Sequence, residues 1–319
     1  MTPSLVVVGA GPAGLVAATR AATAGASVML LDERAEPGGQ LRYRVQPVTS
    51  ESGSNAERPD RLAEQLINDA LAAGVRIRTQ TTVAGCFTGL ELLVIEDGVA
   101  SREVADAVIV ATGSTDLPYP FAGATLPGVF SARGLQILLN VYRVRPGRRF
   151  AVIGGASDAE ELAVDVMLAG GEVVWSGIAP APFLRAEGAD GVRSLAVGQD
   201  RYPVDVIAIA VGRQADPALA TMAGTPLAFS ADLGGLIPLV DDVLQSPVHG
   251  LFVAGDAAGV GSVAVVIAEG RLAGIAAAAS LGLASDSDVA VVRADGGPEL
   301  AWRLERRRVL EAVVVQPHM

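Results

Sequence analysis

The chain has 319 residues, of which 50% are hydrophobic, and a formal net charge of -11 at pH 7; this length and apolar content suffice for the cores of two domains. The negative charge argues against nucleic acid or an anionic membrane surface as a partner, because both require clustered positive charge. A single cysteine, Cys86, and two histidines exclude disulfide bonds, a CxxC redox pair and an iron–sulfur cluster held by this chain alone, and no metal site is predicted.

The first segment reads as a strand, a glycine-rich turn and a helix. The apolar run 5–8 leads into GAGPAG at 9–14, which opens an alanine-rich stretch. In such a turn Gly9 permits the tight bend, Gly11 lets the backbone approach a pyrophosphate, and Gly14 lets the helix pack on the strand. The pyrophosphate then lies at the helix N-terminus, and Asp32, after a second apolar run, is predicted to bind a ribose hydroxyl.

The position of this strand also bears on localisation. It begins within a few residues of Met1, which leaves no room for a signal peptide. No apolar run reaches the roughly 18 to 20 residues that a spanning helix requires. We therefore expect a cytoplasmic protein without membrane insertion.

The segment 42–60 follows the turn PGGQL and has no periodicity, so it is predicted to form a loop over the ligand. Arg42, Tyr43 and Arg44 in this loop would approach either a cofactor ring or a substrate carboxylate, or lie in solvent. A helix at 61–73, strands at 75–79, 82–88, 90–96, 99–104 and 107–110, and the turn Ala-Thr-Gly at 111–113 complete the predicted first part, with the strands at 82–104 forming a meander.

A second, altered copy of the glycine turn follows the strand 150–153. Gly154, Ala156 and Ala159 occupy the three glycine positions, so the middle position carries a methyl group, which weakens the site without excluding it. The next strand, 172–175, is followed by Ser-Gly rather than by the acid of an NAD site or the arginine of an NADP site. Glu160 and Glu161 are interpreted as carboxylates that favour the helix dipole rather than as catalytic groups.

The second copy is also short. Gly9 and Gly113 are 104 residues apart, whereas Gly154 and the equivalent Gly212 are 58 apart. One βαβ unit is therefore predicted to be missing.

The C-terminal part returns the chain to the first domain. A strand at 251–254 leads into GDAAGVG at 255–261 and a long helix of small residues. We therefore predict an α/β fold: a three-layer, Rossmann-like domain with a parallel sheet and a β-meander, formed by residues 1–116 and 245–319, with a shortened second dinucleotide-binding-like domain, 117–244, inserted in it. The tail, 299–315, is predicted to be one amphipathic helix with leucines on one face and arginines opposite, either solvated or in contact with another subunit.

Together GAGPAG, Asp32, GGQ at 38–40, ATG at 111–113 and GD at 255–256 resemble flavoproteins of the pyridine nucleotide-disulfide oxidoreductase type, such as thioredoxin reductases. The resemblance covers nearly the whole chain and implies that FAD binds the first domain and NAD(P)H the second, where the altered turn argues against binding. It implies that Asp256 binds a ribityl hydroxyl and that Gly261 and Ser262 face the pyrimidine edge of the flavin. The remaining cofactor-binding residues that it implies are Gly9, Gly11, Pro12, Ala13, Gly14, Asp32, Glu33, Gly39, Gln40, Leu41, Val83, Ala111, Thr112, Gly113, Gly255 and Val263.

A closer likeness is with the FAD subunits of opine oxidases, hydrogen cyanide synthase and heteromeric proline or hydroxyproline dehydrogenases. It is carried by PGV at 127–129, GDAAGVG at 255–261 and EGRLAG at 269–274, while the redox cysteine pair of thioredoxin reductases is absent. Those relatives act with a second flavoprotein that oxidises an amine or amino acid. Many continue into a cysteine-rich segment, so we expect any iron–sulfur cluster to come from another polypeptide.

The leading hypothesis is an FAD-binding subunit of a heteromeric amine, opine or amino-acid dehydrogenase or oxidase, which passes electrons to or from a partner. One alternative is a stand-alone NAD(P)H-dependent flavin oxidoreductase, and another is a nucleotide-loaded structural or regulatory subunit. No catalytic side chain is assigned, because in flavoenzymes the cofactor transfers the electrons.

Overall fold

The computed structural model describes residues 3–50, 55–155 and 157–310. They form two compact units: unit 1 holds the described residues up to Arg42, those from Pro47 to Ser114 and those from Gln214 onward, and unit 2 holds 43–46 and 115–213. The predicted second domain, 117–244, therefore extends too far. Leu219 and Ala220 belong to the hydrophobic core of unit 1, which draws the segment 214–244 into that unit.

The elements follow one another in chain order with short connections. The helices are α1 (Pro12–Thr23), α2 (Pro59–Ala72), α3 (Ala132–Gln136), α4 (Ser157–Leu168), α5 (Ala218–Met222), α6 (Val263–Ser280), α7 (Asp286–Asp295) and α8 (Gly297–Leu310). The strands are β1 (Ser4–Val8), β2 (Ser27–Leu31), β3 (Arg76–Arg78), β4 (Thr81–Phe87), β5 (Glu91–Glu96), β6 (Val99–Val104), β7 (Ala107–Val110), β8 (Ser114–Asp116), β9 (Val129–Ser131), β10 (Arg149–Ile153), β11 (Glu172–Gly177), β12 (Leu184–Glu187), β13 (Ser194–Val197), β14 (Asp200–Pro203), β15 (Val206–Ile209), β16 (Arg213–Ala215), β17 (Leu227–Ser230), β18 (Gly235–Pro238) and β19 (Leu251–Val253).

Unit 1 is built on a parallel sheet with the strand order β19-β7-β1-β2-β3. Val8 at the end of β1 lies opposite Leu31 of β2 and Val110 of β7. Because the carboxyl ends of these strands meet at one edge, the residues that follow them are brought together there. The predicted α/β fold class, with its parallel sheet and the antiparallel meander β4-β5-β6, is confirmed.

Two glycines of α6 let that helix contact α1 backbone to backbone. A methyl group on Gly270 would lie 2.4 Å from Ala13 O, and one on Gly274 would lie 2.5 Å from Ala17 O. This close approach accounts for the spacing of the glycines in EGRLAG, since a larger side chain at either position would push the helices apart. It also fixes the start of α6 next to the start of α1.

Unit 2 repeats part of this plan. Its parallel sheet has the order β11-β10-β15-β9, and a meander, β12-β13-β14, precedes β15. In unit 1 the helix α2 and the strand β3 stand between β2 and the meander, whereas β11 leads to β12 with only a short 3-10 turn between them. This is the missing βαβ unit that the spacing of the glycines predicts.

The C-terminal segment differs from the prediction. In place of one helix over 299–315, α7 and α8 occupy 286–310, and residues 311–315 lie outside the described part. By length and composition α6 alone among the described helices could cross a membrane, but 72% of it is buried inside the protein, as in the core helix of a soluble fold.

Candidate functional site

The first glycine turn is packed tightly on one side and open on the other. Gly9 has a φ of +104°, and a methyl group there would lie 2.3 Å from Ala111 O; a methyl group on Gly14 would lie 1.8 Å from Gly9 O. By contrast, the nearest atom to a methyl group on Gly11 would be 4.0 Å away, in Gly39. The backbone at Gly11 is therefore exposed to a space that a ligand can enter.

The segment after β2 covers this turn. Gly38 N donates a 2.8 Å hydrogen bond to Ala10 O. Gly39 has a φ of +55°, and a methyl group on it would lie 2.7 Å from Gly11 Cα. Gln40 and the buried Leu41 continue in a 3-10 turn. The GGQ motif thus forms one wall beside the glycine turn.

Asp32 fastens the turn from below. Its Oδ2 accepts a 2.6 Å hydrogen bond from Ala10 N, and its Oδ1 accepts a 2.8 Å hydrogen bond from Arg34 N. A carboxylate has about four acceptor positions, so capacity remains for a ribose hydroxyl. The neighbouring Glu33 is exposed.

The GD motif reaches the same edge of the sheet. A methyl group on Gly255 would lie 2.7 Å from Ala13 Cβ at the start of α1. Asp256 is 5% exposed; its Oδ2 accepts from Ser114 Oγ at 2.8 Å, and its Oδ1 accepts from Gly261 N at 3.1 Å. The carboxylate is therefore held in a single orientation.

The helix that follows this motif has a polar cap. Ser262 precedes α6, and its side chain accepts a hydrogen bond from Val265 N. Val263, the first residue of the helix, is buried. As in any α-helix, the first-turn N–H groups lack partners within the helix and attract negative charge.

The remaining predicted residues line the same region of unit 1. Ala111 follows β7 directly, Thr112 Oγ1 donates a 3.2 Å hydrogen bond to Asp216 O, and Gly113 has a φ of +88°. Val83 lies half-buried in β4. These contacts fix the connection between β7 and β8 beside Ser114.

Sequence reasoning placed the arginines of the tail opposite its leucines, and this is wrong for two of them. Arg303 and Arg307 are 1% and 2% exposed and lie on the same face of α8 as the buried Leu300 and Leu304. Both arginines bind Glu269 of α6, which is fully buried. The spacing of three and four residues between these positions is the signal that could have revealed them.

The residues of unit 1 therefore fit a dinucleotide. The fit rests on the open face of Gly11, on the unused acceptor positions of Asp32, and on the first turn of α1, which carries no acidic residue. An anionic pyrophosphate would meet partial positive charge there. The buried Asp256 supplies an acceptor for a further hydroxyl at the other end.

The second glycine turn, in unit 2, has a different electrostatic character. Gly154 packs as Gly9 does, with a methyl group on it lying 2.2 Å from Ala210 O. However, the first turn of α4 carries Asp158 and Glu160, and Asp158 Oδ2 lies 3.6 Å from Arg213 Nε. These carboxylates already occupy the positive end of the helix dipole and would repel a phosphate. Ala156, the altered middle position, lies outside the described residues.

The loop residues 43–46 belong to unit 2, which corrects the prediction that Arg44 approaches a cofactor ring or lies in solvent. Arg44 Nη2 is 2.6 Å from Glu161 Oε2. Asn140 Nδ2 donates a 2.8 Å hydrogen bond to Tyr43 O. Ion pairing to α4 therefore determines where Arg44 lies.

A buried carboxyl group lies next to this ion pair. Asp165 is 0% exposed, and its Oδ2 accepts hydrogen bonds from Gln136 Nε2 at 2.9 Å and from Asn140 Nδ2 at 3.2 Å. Its Oδ1 is buried and has no hydrogen-bond partner among the described residues. Burial raises the pKa of Asp165 above its ordinary value, because removal from water penalises the charged form.

Comparison with known proteins gives a consistent result. The family described as pyridine nucleotide-disulphide oxidoreductase matches residues 3–190. The A subunit of opine oxidase from Rhizobium meliloti (strain 1021) is 28% identical and the match covers 87% of this chain, and hydrogen cyanide synthase subunit HcnB of Pseudomonas aeruginosa is 34% identical over 44% of it. These matches confirm the resemblance predicted from the motifs.

A solved structure shows the same fold. The crystal structure of L-proline dehydrogenase from P. horikoshii superposes with a TM-score of 0.77 at 24% sequence identity and covers 97% of this chain. The chain spans 59% of that protein, 71% of the opine oxidase relative and 31% of HcnB.

Proposed function

Because the chain belongs to the pyridine nucleotide-disulphide oxidoreductase family and is an FAD-binding oxidoreductase, we propose that it serves as the FAD-binding subunit of a heteromeric enzyme. The enzyme oxidises an amine, an opine or an amino acid in a second subunit, and this chain passes the electrons on. The observation that carries the proposal is the similarity to the A subunit of opine oxidase over 87% of the chain. A further iron–sulfur protein would be one acceptor for these electrons.

The contrast between the two glycine turns supports a partner, rather than NAD(P)H, as the source of electrons. The start of α1 has no acidic side chain, whereas the start of α4 has Asp158 and Glu160. Ser176 and Gly177 end β11, where an NAD site would have an acid. Unit 2 is then a dinucleotide-binding fold that has lost its ligand.

We place FAD in unit 1. The backbone of 9–14 would hold the pyrophosphate, Asp32 would accept from the adenosine ribose, and Asp256 would accept from a ribityl hydroxyl. Bound FAD would supply reversible electron transfer. The chain supplies orientation: Ser114 and Gly261 hold Asp256, and Ala10 holds Asp32. The first-turn N–H groups of α6, behind Gly261 and Ser262, would favour negative charge on the ring.

An anaerobic titration of the purified protein with NADH and then NADPH, followed through flavin absorbance, tests the proposal. We expect a yellow protein that neither nucleotide bleaches and that dithionite, the positive control, reduces fully. Bleaching at stoichiometric nucleotide would instead establish a stand-alone reductase.

A second measurement addresses the substrate. The chain is co-produced with a candidate oxidase subunit, and the complex is mixed anaerobically with L-proline, sarcosine, glycine and an opine in turn. Bleaching of the flavin in this chain by one of them is the expected result. A flavin in this chain that none of them reduces, while the partner turns over with an artificial acceptor, would favour a structural or regulatory subunit. The cytoplasmic location stays a prediction.

A further inference from the structure

We propose that Arg303 and Arg307 of α8 are positioning residues for the cofactor loop 255–261, which they hold through Glu269. We call Arg303, Arg307 and Glu269 the α8 clamp. The inference concerns the loop itself and does not depend on the identity of the partner or the substrate.

Glu269 joins the loop to both arginines. Its Oε2 accepts a 2.9 Å hydrogen bond from Gly255 N, the first residue of the loop. Its Oε1 accepts from Arg303 Nε at 2.7 Å and from Arg307 Nη2 at 2.8 Å. One fully buried carboxylate therefore ties the beginning of the loop to α8.

The arginines in turn bind three successive carbonyl groups of the loop. Arg307 Nη2 donates to Ala258 O at 2.9 Å. Arg303 donates from Nη2 to Gly259 O and from Nη1 to Val260 O, the latter at 2.9 Å. The fork of the guanidinium group suits this pair of neighbouring oxygens, and a lysine could not reproduce it.

The last of these contacts reaches Asp256 through one peptide plane. The carbonyl of Val260 accepts from Arg303, and the N–H on the other side of the same peptide bond, that of Gly261, donates to Asp256 Oδ1. Since the peptide group is planar, orientation of its C=O also orients its N–H. Arg303 thereby helps to aim the carboxylate that we assign to the ribityl chain.

Burial of these charges requires a specific use. Removal of two guanidinium groups from water costs several kcal/mol unless they are paired, and apolar residues of similar volume often stabilise a core better. Burial lowers the pKa of Arg307, and its Nε and Nη1 have no hydrogen-bond partner within the described ranges. Leu300 and Leu304 already anchor α8 in the core, so attachment of the helix alone does not call for the clamp.

Adjacent residues provide a matched test. Arg307 is 2% exposed, whereas the side chain of Arg308 is 62% exposed and pairs with Asp242 at the surface. R307Q is compared with R308Q in the full chain by hydrogen exchange of the FAD-free protein and by the Kd for FAD. We expect exchange in the peptide that contains 255–261 to accelerate at least tenfold, and the Kd to rise at least tenfold, in R307Q only. Changes within twofold in both variants would overturn the proposal.

A second variant separates positioning from general stability. R303K keeps the charge but loses the fork, and R306K is its control because Arg306 pairs with Asp232 at a half-exposed site. We expect R303K to keep a Tm close to that of the wild type while loop exchange and the Kd for FAD rise. A uniform increase of exchange over the whole chain, with an unchanged Kd for the folded fraction, would show a purely structural role. R303K also carries the test if R307Q does not fold, and the exchange measurement needs no FAD.

Discussion

Ser114 Oγ and Asp256 Oδ2 are joined by a 2.8 Å hydrogen bond across 142 positions of sequence. Both residues belong to unit 1, although the main segment of unit 2 lies between them in the chain. The bond is buried, and the opposite oxygen of Asp256 is held by Gly261 N. Asp256 is thus the most firmly oriented carboxylate of the proposed FAD site.

Replacement of this carboxylate should release the cofactor. In D256A a ribityl hydroxyl loses its acceptor in a buried place, which costs about 1 to 3 kcal/mol, or roughly 5- to 150-fold in Kd. The measurement is the ratio of FAD to protein after purification, followed by titration of the FAD-free protein. D200A, at an exposed position of β14, is the control and should keep its flavin. Full flavin content in D256A would contradict our placement of the site.

Two glycines of the first turn should respond differently to alanine. In G14A the new methyl group would lie 1.8 Å from Gly9 O, so we expect the free energy of unfolding of the FAD-free protein to fall by about 1 to 3 kcal/mol or more. In G11A the methyl group has room, and the loss should appear in FAD affinity instead. Denaturant unfolding and FAD titration of both variants distinguish the two effects. Equal stability of the two FAD-free variants would argue against this division of roles.

Cys86 should not react in the folded protein. Burial raises the pKa of its thiol from 9.0 to about 11, because the thiolate is the form that loses hydration. The stabilisation from the neutral thiol is complete below pH 9.0 and is lost as the pH rises toward about 11. With Ellman's reagent near pH 8 we expect no colour from the native protein and one equivalent in concentrated guanidinium chloride. Rapid reaction of the native protein would show that β4 opens.

Asp165 should be replaceable by its amide. Its folded-state pKa is raised by burial, so its contribution to stability is fully present below the unfolded pKa and is lost as the pH rises through the folded one. In D165N the side-chain carbonyl oxygen would still accept from Gln136 and Asn140, and the position would carry no charge. We therefore expect D165N to have a Tm at or above that of the wild type at neutral pH, with the difference shrinking as the pH falls toward 4.

The control for this variant is E160Q, at an exposed position on the same helix. It should leave the pH dependence of Tm unchanged. A lower Tm for D165N near pH 7 would mean that the charged form of Asp165 is the one that the fold uses.

Motifs whose residues interact locally could be predicted from the sequence. The roles of Gly9 and Gly14 follow from the bend and from the distance between a strand and the helix after it, so few other residue types fit. The shortened second domain could also be predicted, because a missing helix and strand alter the spacing between glycines. In both cases the information lies within a short stretch of chain.

Contacts between distant segments could not be predicted in this way. Arg303 and Glu269 are 34 positions apart, and their pairing reverses the usual rule that arginine lies in solvent. Similarly, Arg44 turns toward Glu161, 117 positions away, and the segment 214–244 joins unit 1 because Leu219 and Ala220 complete its core. Periodicity indicates which face of a helix is apolar but not which buried charge meets which.

The strand order β19-β7-β1-β2-β3 has a consequence for the order of events on the ribosome. The last of these strands to be synthesised pairs with β7, and α6 and α8 follow it in the chain. Most of unit 2 is contiguous and emerges earlier, so it can fold while unit 1 waits for its C-terminal third. Until Arg307 has left the exit tunnel the loop 255–261 lacks its support, and a nascent chain should therefore acquire FAD only as one of its final maturation steps.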